Sequence, residues 1–230
     1  MCFSATASFS AGAFLLGVGT LTLRSALAAH QRRDLPFAAI PLLFAIQQLI
    51  EGVIWLTFRV DAPLLNVVLT HVYAFFSHVL WPVYVPVAVL LMEPMGWRRR
   101  ALFAFVAAGA AVGAYLLVVL VAFPLASRPT GQHIEYVSPH FFAAVTMTLY
   151  LLSTAVSPLL STHRMVVVFG ALALLSFGAA YAFYATWFIS VWCFFAALLS
   201  AVVYLHFGVR GAKRGRSTDN SLSAHRSQEA

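Results

Sequence analysis

The sequence predicts an all-α integral membrane bundle of seven transmembrane helices, with the N-terminus outside and the C-terminus cytoplasmic. Three observations carry that prediction. The chain of 230 residues is 62% hydrophobic and only 9% charged, with twenty Phe and a mean hydropathy of +0.89. A typical soluble domain carries roughly 25% charged residues, so a free globule of this composition could not cover itself, and lipid is the expected solvent. The second observation is a set of long segments free of Asp, Glu, Lys and Arg. The third is that the fourteen basic residues fall in short clusters between those segments. That placement, rather than one charged face, excludes nucleic acid as the partner of the +7 net charge and fits loops at a membrane surface.

Each span needs about 20 apolar residues to cross the hydrocarbon core. Charge-free runs cover 3–23, 62–92, 101–127, 136–163 and 165–209, and the run 35–58 is broken only by Glu51. The run 165–209 is long enough for two spans with a turn near Tyr184–Phe188. The predicted helices are 4–27, 36–58, 65–92, 101–125, 140–161, 165–185 and 188–208, followed by a basic, disordered cytoplasmic tail over 209–230. With the N-terminus outside, twelve of the fourteen basic residues lie in the cytoplasm and only Arg59 and Arg128 lie outside. Six spans would move the tail cations outside, against the positive-inside rule. The runs lack dyad alternation, which excludes a closed β-barrel. No basic region precedes the first apolar run, so no cleavable signal peptide is expected. The expected location is a plasma (inner) membrane, crossed in several passes.

Gly109 and Gly113 form a GxxxG on the fourth helix, read as a close-packing face. Pro41, Pro82, Pro86 and Pro158 lie within spans, where a missing backbone donor bends the helix. No internal repeat is visible, which weakens an inverted-repeat transporter reading.

Against this apolar background a few side chains stand out. Glu51 is the only acidic residue deep within a span, with Gln47 and Gln48 one turn before it and Trp55 one turn after. A charge near the bilayer centre costs at least about 2.5–3.5 kcal/mol, so the expectation is a protein-facing carboxyl with a partner. His71 and His78 lie seven residues apart, almost two α-turns, so they point the same way about 10 Å apart along the axis. At about 1.5 Å per residue, Glu51 lies about 10 Å deep from the outer surface, His71 and Cys193 about 8 Å, and His78 near the midplane. His133 and His140 lie on or beside the outer loop and Cys2 at the outer end of the first helix. This one-sided clustering predicts a polar site open to the outside. Cys2 offers a thiol next to the N-terminal amine if Met1 is removed, a chelate or an activated nucleophile. Simple packing and, in an oxidising compartment, a Cys2–Cys193 disulfide are the competing expectations.

The segments MCFSATASF (1–9), LPFAAIPLLFAIQQLIEG (35–52), Trp81–Pro82, VWCFFAALLS (191–200) and YLHF (204–207) resemble an uncharacterised bacterial family of small multi-spanning membrane proteins. The resemblance covers nearly the whole chain apart from the tail and implies no activity. It implies that Cys2, Glu51, Trp192 and Cys193 lie within the family's recognisable motifs. Microbial rhodopsins hold retinal on a Lys of the last helix. The only Lys here is Lys213 in the tail, so no retinal is expected. The alkaline-ceramidase type of zinc hydrolase is similar in its seven spans, but its final-helix HxxxH is missing, and His206 stands alone.

Four functions remain open on the residues. The leading expectation is a membrane metalloprotein, with Glu51, His71, Cys193 and His140 or Cys2 as ligands to Zn or Cu, since mixed O, N and S donors suit those ions. His78 would then relay protons to a metal-activated water, or Cys2 would act as nucleophile. Bis-His haem is disfavoured, because no second His shares the depth of His78 on a facing helix. The alternatives are a proton-coupled small-molecule transporter or pH sensor using Glu51, His71 and His78, a thiol–quinone redox protein using Cys2 and Cys193, and an accessory subunit without chemistry. The lipid bilayer is the expected partner. A metal ion or small molecule, a homo-oligomer and a membrane-complex partner all stay open.

Overall fold

The computed structural model describes residues 4–30, 32–94, 96–131, 133–139, 142–183 and 199–207. Its helices are α1 (Ala5–Ala28), α2 (Arg32–Thr57), α3 (Pro63–Met92), α4 (Trp97–Ala122), α5 (Ala143–Leu160) and α6 (Arg164–Phe183), with a further helix α7 over 200–207. Five of these, α1 to α5, are long and apolar enough to cross a membrane. Their limits follow the predicted ones closely because apolar length is a local property. The starts differ more: α4 begins at Trp97, drawing Arg98–Arg100 into its first turn, where the Arg98 guanidinium lies 5.5 Å from the Trp97 ring centroid. The turn expected near Tyr184–Phe188 lies outside the described residues.

Successive helices run antiparallel, so the chain has two ends. At one end, the arginine end, Arg32–Asp34 meets the end of α3, and the 161–163 turn meets Glu93. At the other, α2 passes to α3 and α4 to α5. There the structure departs from the expected loop: Ala126–Thr130 (β1) and His133–Val137 (β2) form an antiparallel hairpin. Gly131 turns it at φ 60°, the left-handed backbone that a two-residue hairpin turn requires. Strand alternation sorts its side chains. Ser127 and Tyr136 pair on the buried face, and Arg128 stands opposite Glu135 away from it.

Close helix packing rests on small residues. The buried positions of α1 are Ala5, Ser8, Gly12, Leu15, Gly19, Thr22 and Ala26, spaced alternately by three and four. A Cβ at Gly12 would meet Leu49, and one at Gly19 would meet Leu42, so α1 lies against α2 along that whole stripe. The GxxxG expectation also holds: Gly109 presses on Pro82 and Ser153, and Gly113 on Val79 and Val83, which joins α4 to α3 and α5.

Two of the four span prolines sit just after a widened π turn. Phe75–Leu80 precedes Pro82, and Leu152–Val156 precedes Pro158. Proline supplies no N–H and crowds the carbonyl four residues back, and a wider turn relieves both faults. The two wide turns are joined, since Tyr150 Oη donates to Ser77 O at 2.5 Å.

Candidate functional site

Glu51 is wholly buried, as are Gln47 and Gln48 on the preceding turn. The polar stripe read along α2 therefore faces protein. Gln48 Nε2 donates to Glu51 Oε2 at 3.4 Å, and Tyr136 Oη donates to Glu51 Oε1 at 3.5 Å. Both contacts lie at the long limit for a hydrogen bond, so they hold the carboxyl weakly. Below it, Trp81 Nε1 donates to Gln47 Oε1 at 2.8 Å, and Phe44 stacks on the Trp81 ring at 4.0 Å. That bond orients the Gln47 carboxamide and leaves its buried Nε2 with no hydrogen-bond partner. Trp55 Nε1, one turn above Glu51, has none either.

The hairpin covers this site. Ile54, Tyr73, Ile134 and Tyr136 form an apolar cluster above the carboxyl, with Tyr73 and Tyr136 stacked at 4.6 Å and 6° between planes. A polar chain fastens β1 to the helix ends. Thr70 Oγ1 donates to Ser127 Oγ at 2.8 Å, Ser127 Oγ to Asn66 Oδ1 at 2.9 Å, and Asn66 Nδ2 to Thr57 Oγ1 at 2.8 Å. His133 is buried at the turn of β2, and that desolvation pushes its imidazole below the ordinary histidine value.

The other expected site residues are placed unevenly. His71 is half-buried, and its Nδ1–H donates to Val67 O at 2.8 Å, which leaves Nε2 as the acceptor nitrogen. His78 is half-buried within the first π turn, with Nδ1 2.8 Å from Ser77 Oγ. The expectation that His71 and His78 share one face assumed regular α-turns. The π turn begins four residues after His71 and contains His78, so the spacing between them is not regular α-helix throughout. Cys2, His140 and Cys193 lie outside the described residues. Among the described residues, no group of three His, Cys, Asp or Glu side chains could hold a metal ion, so the metal-binding expectation gains no support here.

Tyr136, Tyr73, Asn66 and Ser127 escaped the sequence reading. The period-2 pattern Ile134–Glu135–Tyr136 beside Gly131 was the available signal for a strand, but its partner on α2 is 85 residues away.

These features define a class: a helical bundle with membrane-length apolar helices and a buried carboxyl under a β-hairpin. The chain belongs to the Family of unknown function (DUF6629), whose model matches residues 1–218. No curated protein and no solved structure matches it.

Proposed function

We propose that the protein is a multi-pass plasma-membrane protein of bacteria, its hairpin end outside and its arginine end cytoplasmic. We propose that it moves a small molecule coupled to protons, with Glu51 as the proton-carrying group. The orientation rests on the cation count, which favours the arginine end inside. One observation carries the function: the wholly buried Glu51 accepts from Tyr136, which belongs to a hairpin rather than to a spanning helix. Lifting the hairpin removes a donor from the carboxyl and admits water to it in one movement. A proton then passes from outer water to a Glu51 oxygen, and reclosure seals it from that side. The spare donors at Gln47 and Trp55 supply further hydrogen bonds to a small polar guest beside the carboxyl.

The test is proton uptake by liposomes that contain the purified protein and a trapped pH dye, stepped from about pH 8 to about pH 5. Uptake that depends on pH and is lost in Glu51→Gln is expected. A flat response, or wild-type uptake by Glu51→Gln, overturns the reading. Elemental analysis of the same preparation decides the Zn or Cu alternative. About one ion per chain, lost in Glu51→Gln, would transfer Glu51 to a metal site completed by His71, His140, Cys193 or Cys2.

A further inference from the structure

Two side chains of α2 flank Glu51, Gln47 one turn towards the arginine end and Trp55 one turn towards the hairpin. Gln47 is fastened to Trp81 of α3, and Trp55 packs against the apolar cluster whose Tyr136 reaches Glu51. Gln47 Nε2 and Trp55 Nε1 are buried and, among the described residues, have no hydrogen-bond partner. Both spare atoms are donors only. Trp81 Nε1 occupies the carboxamide oxygen of Gln47 at 2.8 Å, and an indole nitrogen has no lone pair to offer. Buried donors left unmet are costly, so two of them beside one carboxyl call for a guest that accepts. An amine guest would need acceptors at those two positions instead.

The charge on that guest follows from the surroundings of Glu51. Its contacts from Gln48 and Tyr136 are hydrogen bonds received, at 3.4 and 3.5 Å. In the cluster over the carboxyl only Tyr73 and Tyr136 titrate, and phenols stay neutral below about pH 10. That cluster brings no positive charge to balance two negative ones. An anionic guest and an ionised Glu51 would repel, whereas a protonated Glu51 is one more donor to the guest.

We propose that the guest is a small organic carboxylate carried with one proton, its acceptor atoms meeting Gln47 Nε2 and Trp55 Nε1 while the proton rests on the Glu51 carboxyl. One anion and one proton move together, so each cycle carries no net charge. The two donors stand two turns, about 12 Å, apart along the axis of α2, which suits a carboxylate with a second acceptor oxygen, such as a hydroxy acid. The charge of the guest rests on the proton-carrying role of Glu51 proposed above, whereas the preference for an acceptor stands on Gln47 and Trp55 alone.

Two measurements test this, with lactate, ethylamine and acetamide as anionic, cationic and neutral probes. The first is nitrogen-15 NMR of the tryptophan indoles of full-length protein in nanodiscs, with Trp55 assigned from Trp55→Phe. Lactate should shift the Trp55 N–H, and the other two probes should not. A signal unmoved by lactate, or moved as far by ethylamine or acetamide, overturns the carboxylate. The second is the liposome assay with lactate added outside at about pH 6. Internal acidification should run about tenfold faster than without lactate, after subtraction of protein-free liposomes, and should not change with membrane potential. Gln47→Glu keeps an acceptor for Trp81 but trades the spare donor for another acceptor. Trp55→Phe keeps a ring without the N–H and serves should Gln47→Glu fail to fold. Each should raise the lactate concentration for half-maximal rate about tenfold, the loss of one hydrogen bond to a charged group. A wild-type lactate dependence in Trp55→Phe overturns the site. Proton uptake that is lost in Glu51→Gln yet indifferent to lactate overturns the guest and leaves the proton-carrying reading standing. No uptake in wild type, or full uptake by Glu51→Gln, overturns that reading, and the Trp55 signal then decides the acceptor preference by itself.

Discussion

Tyr136 lies flat on Tyr73, 4.6 Å between ring centroids, and its hydroxyl reaches on to Glu51 at 3.5 Å. One side chain thus serves as apolar lid and polar ligand, and the two roles separate by substitution. Tyr136→Phe keeps the stack and removes a long hydrogen bond, so thermal stability in detergent should fall by less than about 1 kcal/mol. Its effect should appear in the pH dependence of proton uptake. Tyr136→Ala removes the stack as well and should cost about 3 kcal/mol, read as faster amide exchange across the hairpin.

Gly109 tests how closely α4 approaches α3. A Cβ there would lie 1.8 Å from Pro82 O, a backbone atom that cannot turn aside, whereas a Cβ at Gly17 on α1 meets nothing within 4 Å. Gly109→Ala should therefore lower the melting temperature, with a cost of about 1–3 kcal/mol or more. Gly17→Ala should be neutral or slightly stabilising.

Trp81→Phe should cost about 1–3 kcal/mol, mainly by leaving the buried Gln47 carboxamide without its partner. Trp81→Phe combined with Gln47→Leu should recover part of that loss. Strict additivity of the two variants in chemical denaturation would refute the coupling.

His133 gives the hairpin a pH dependence whose sign is fixed. Burial lowers its value in the docked hairpin, so the docked form favours neutral imidazole. An undocked His133 takes up a proton near its ordinary value of 6.5. Docking is therefore full above that pH and weakens as pH falls through it towards the lowered value. Amide exchange at 133–137 should be faster at about pH 5.5 than at about pH 7.5, and His133→Gln should flatten the difference. Exchange that slows with acid, once corrected for intrinsic rates, would contradict the desolvation.

Glu93→Gln retains acceptor capacity on one atom but loses the charge facing Ser161 and Thr162. Hydrogen bonds to a charged group are worth about 1.5–3 kcal/mol, and a fraction of that should be lost in thermal unfolding. Glu93→Ala should cost more and should loosen the 161–163 turn in amide exchange.

The helical class, the limits of the five membrane-length helices and the burial of Glu51 were legible because hydropathy and charge placement act residue by residue along the chain. An apolar run of membrane length becomes a helix whatever its neighbours, since lipid leaves its backbone no other hydrogen-bond partners. The faces of those helices were harder to read. The small-residue stripe of α1 is as regular as the GxxxG of α4, yet only the structure sets it on Leu42 and Leu49. His71 and His78 were read at α spacing, whereas the π turn Phe75–Leu80, which holds His78, replaces part of that spacing.

What the sequence determined by itself was a chain of apolar helices of membrane length, cations clustered between them, and one carboxyl that had to be buried against protein. What only the tertiary structure decided was which residues meet. It brought Tyr136 to Glu51 across 85 residues, Glu93 to Thr162 across 69, and His206 to His163. Solvation is a property each residue carries alone, whereas contact depends on the register of two elements, and every helix rotation along an apolar chain satisfies the same hydropathy.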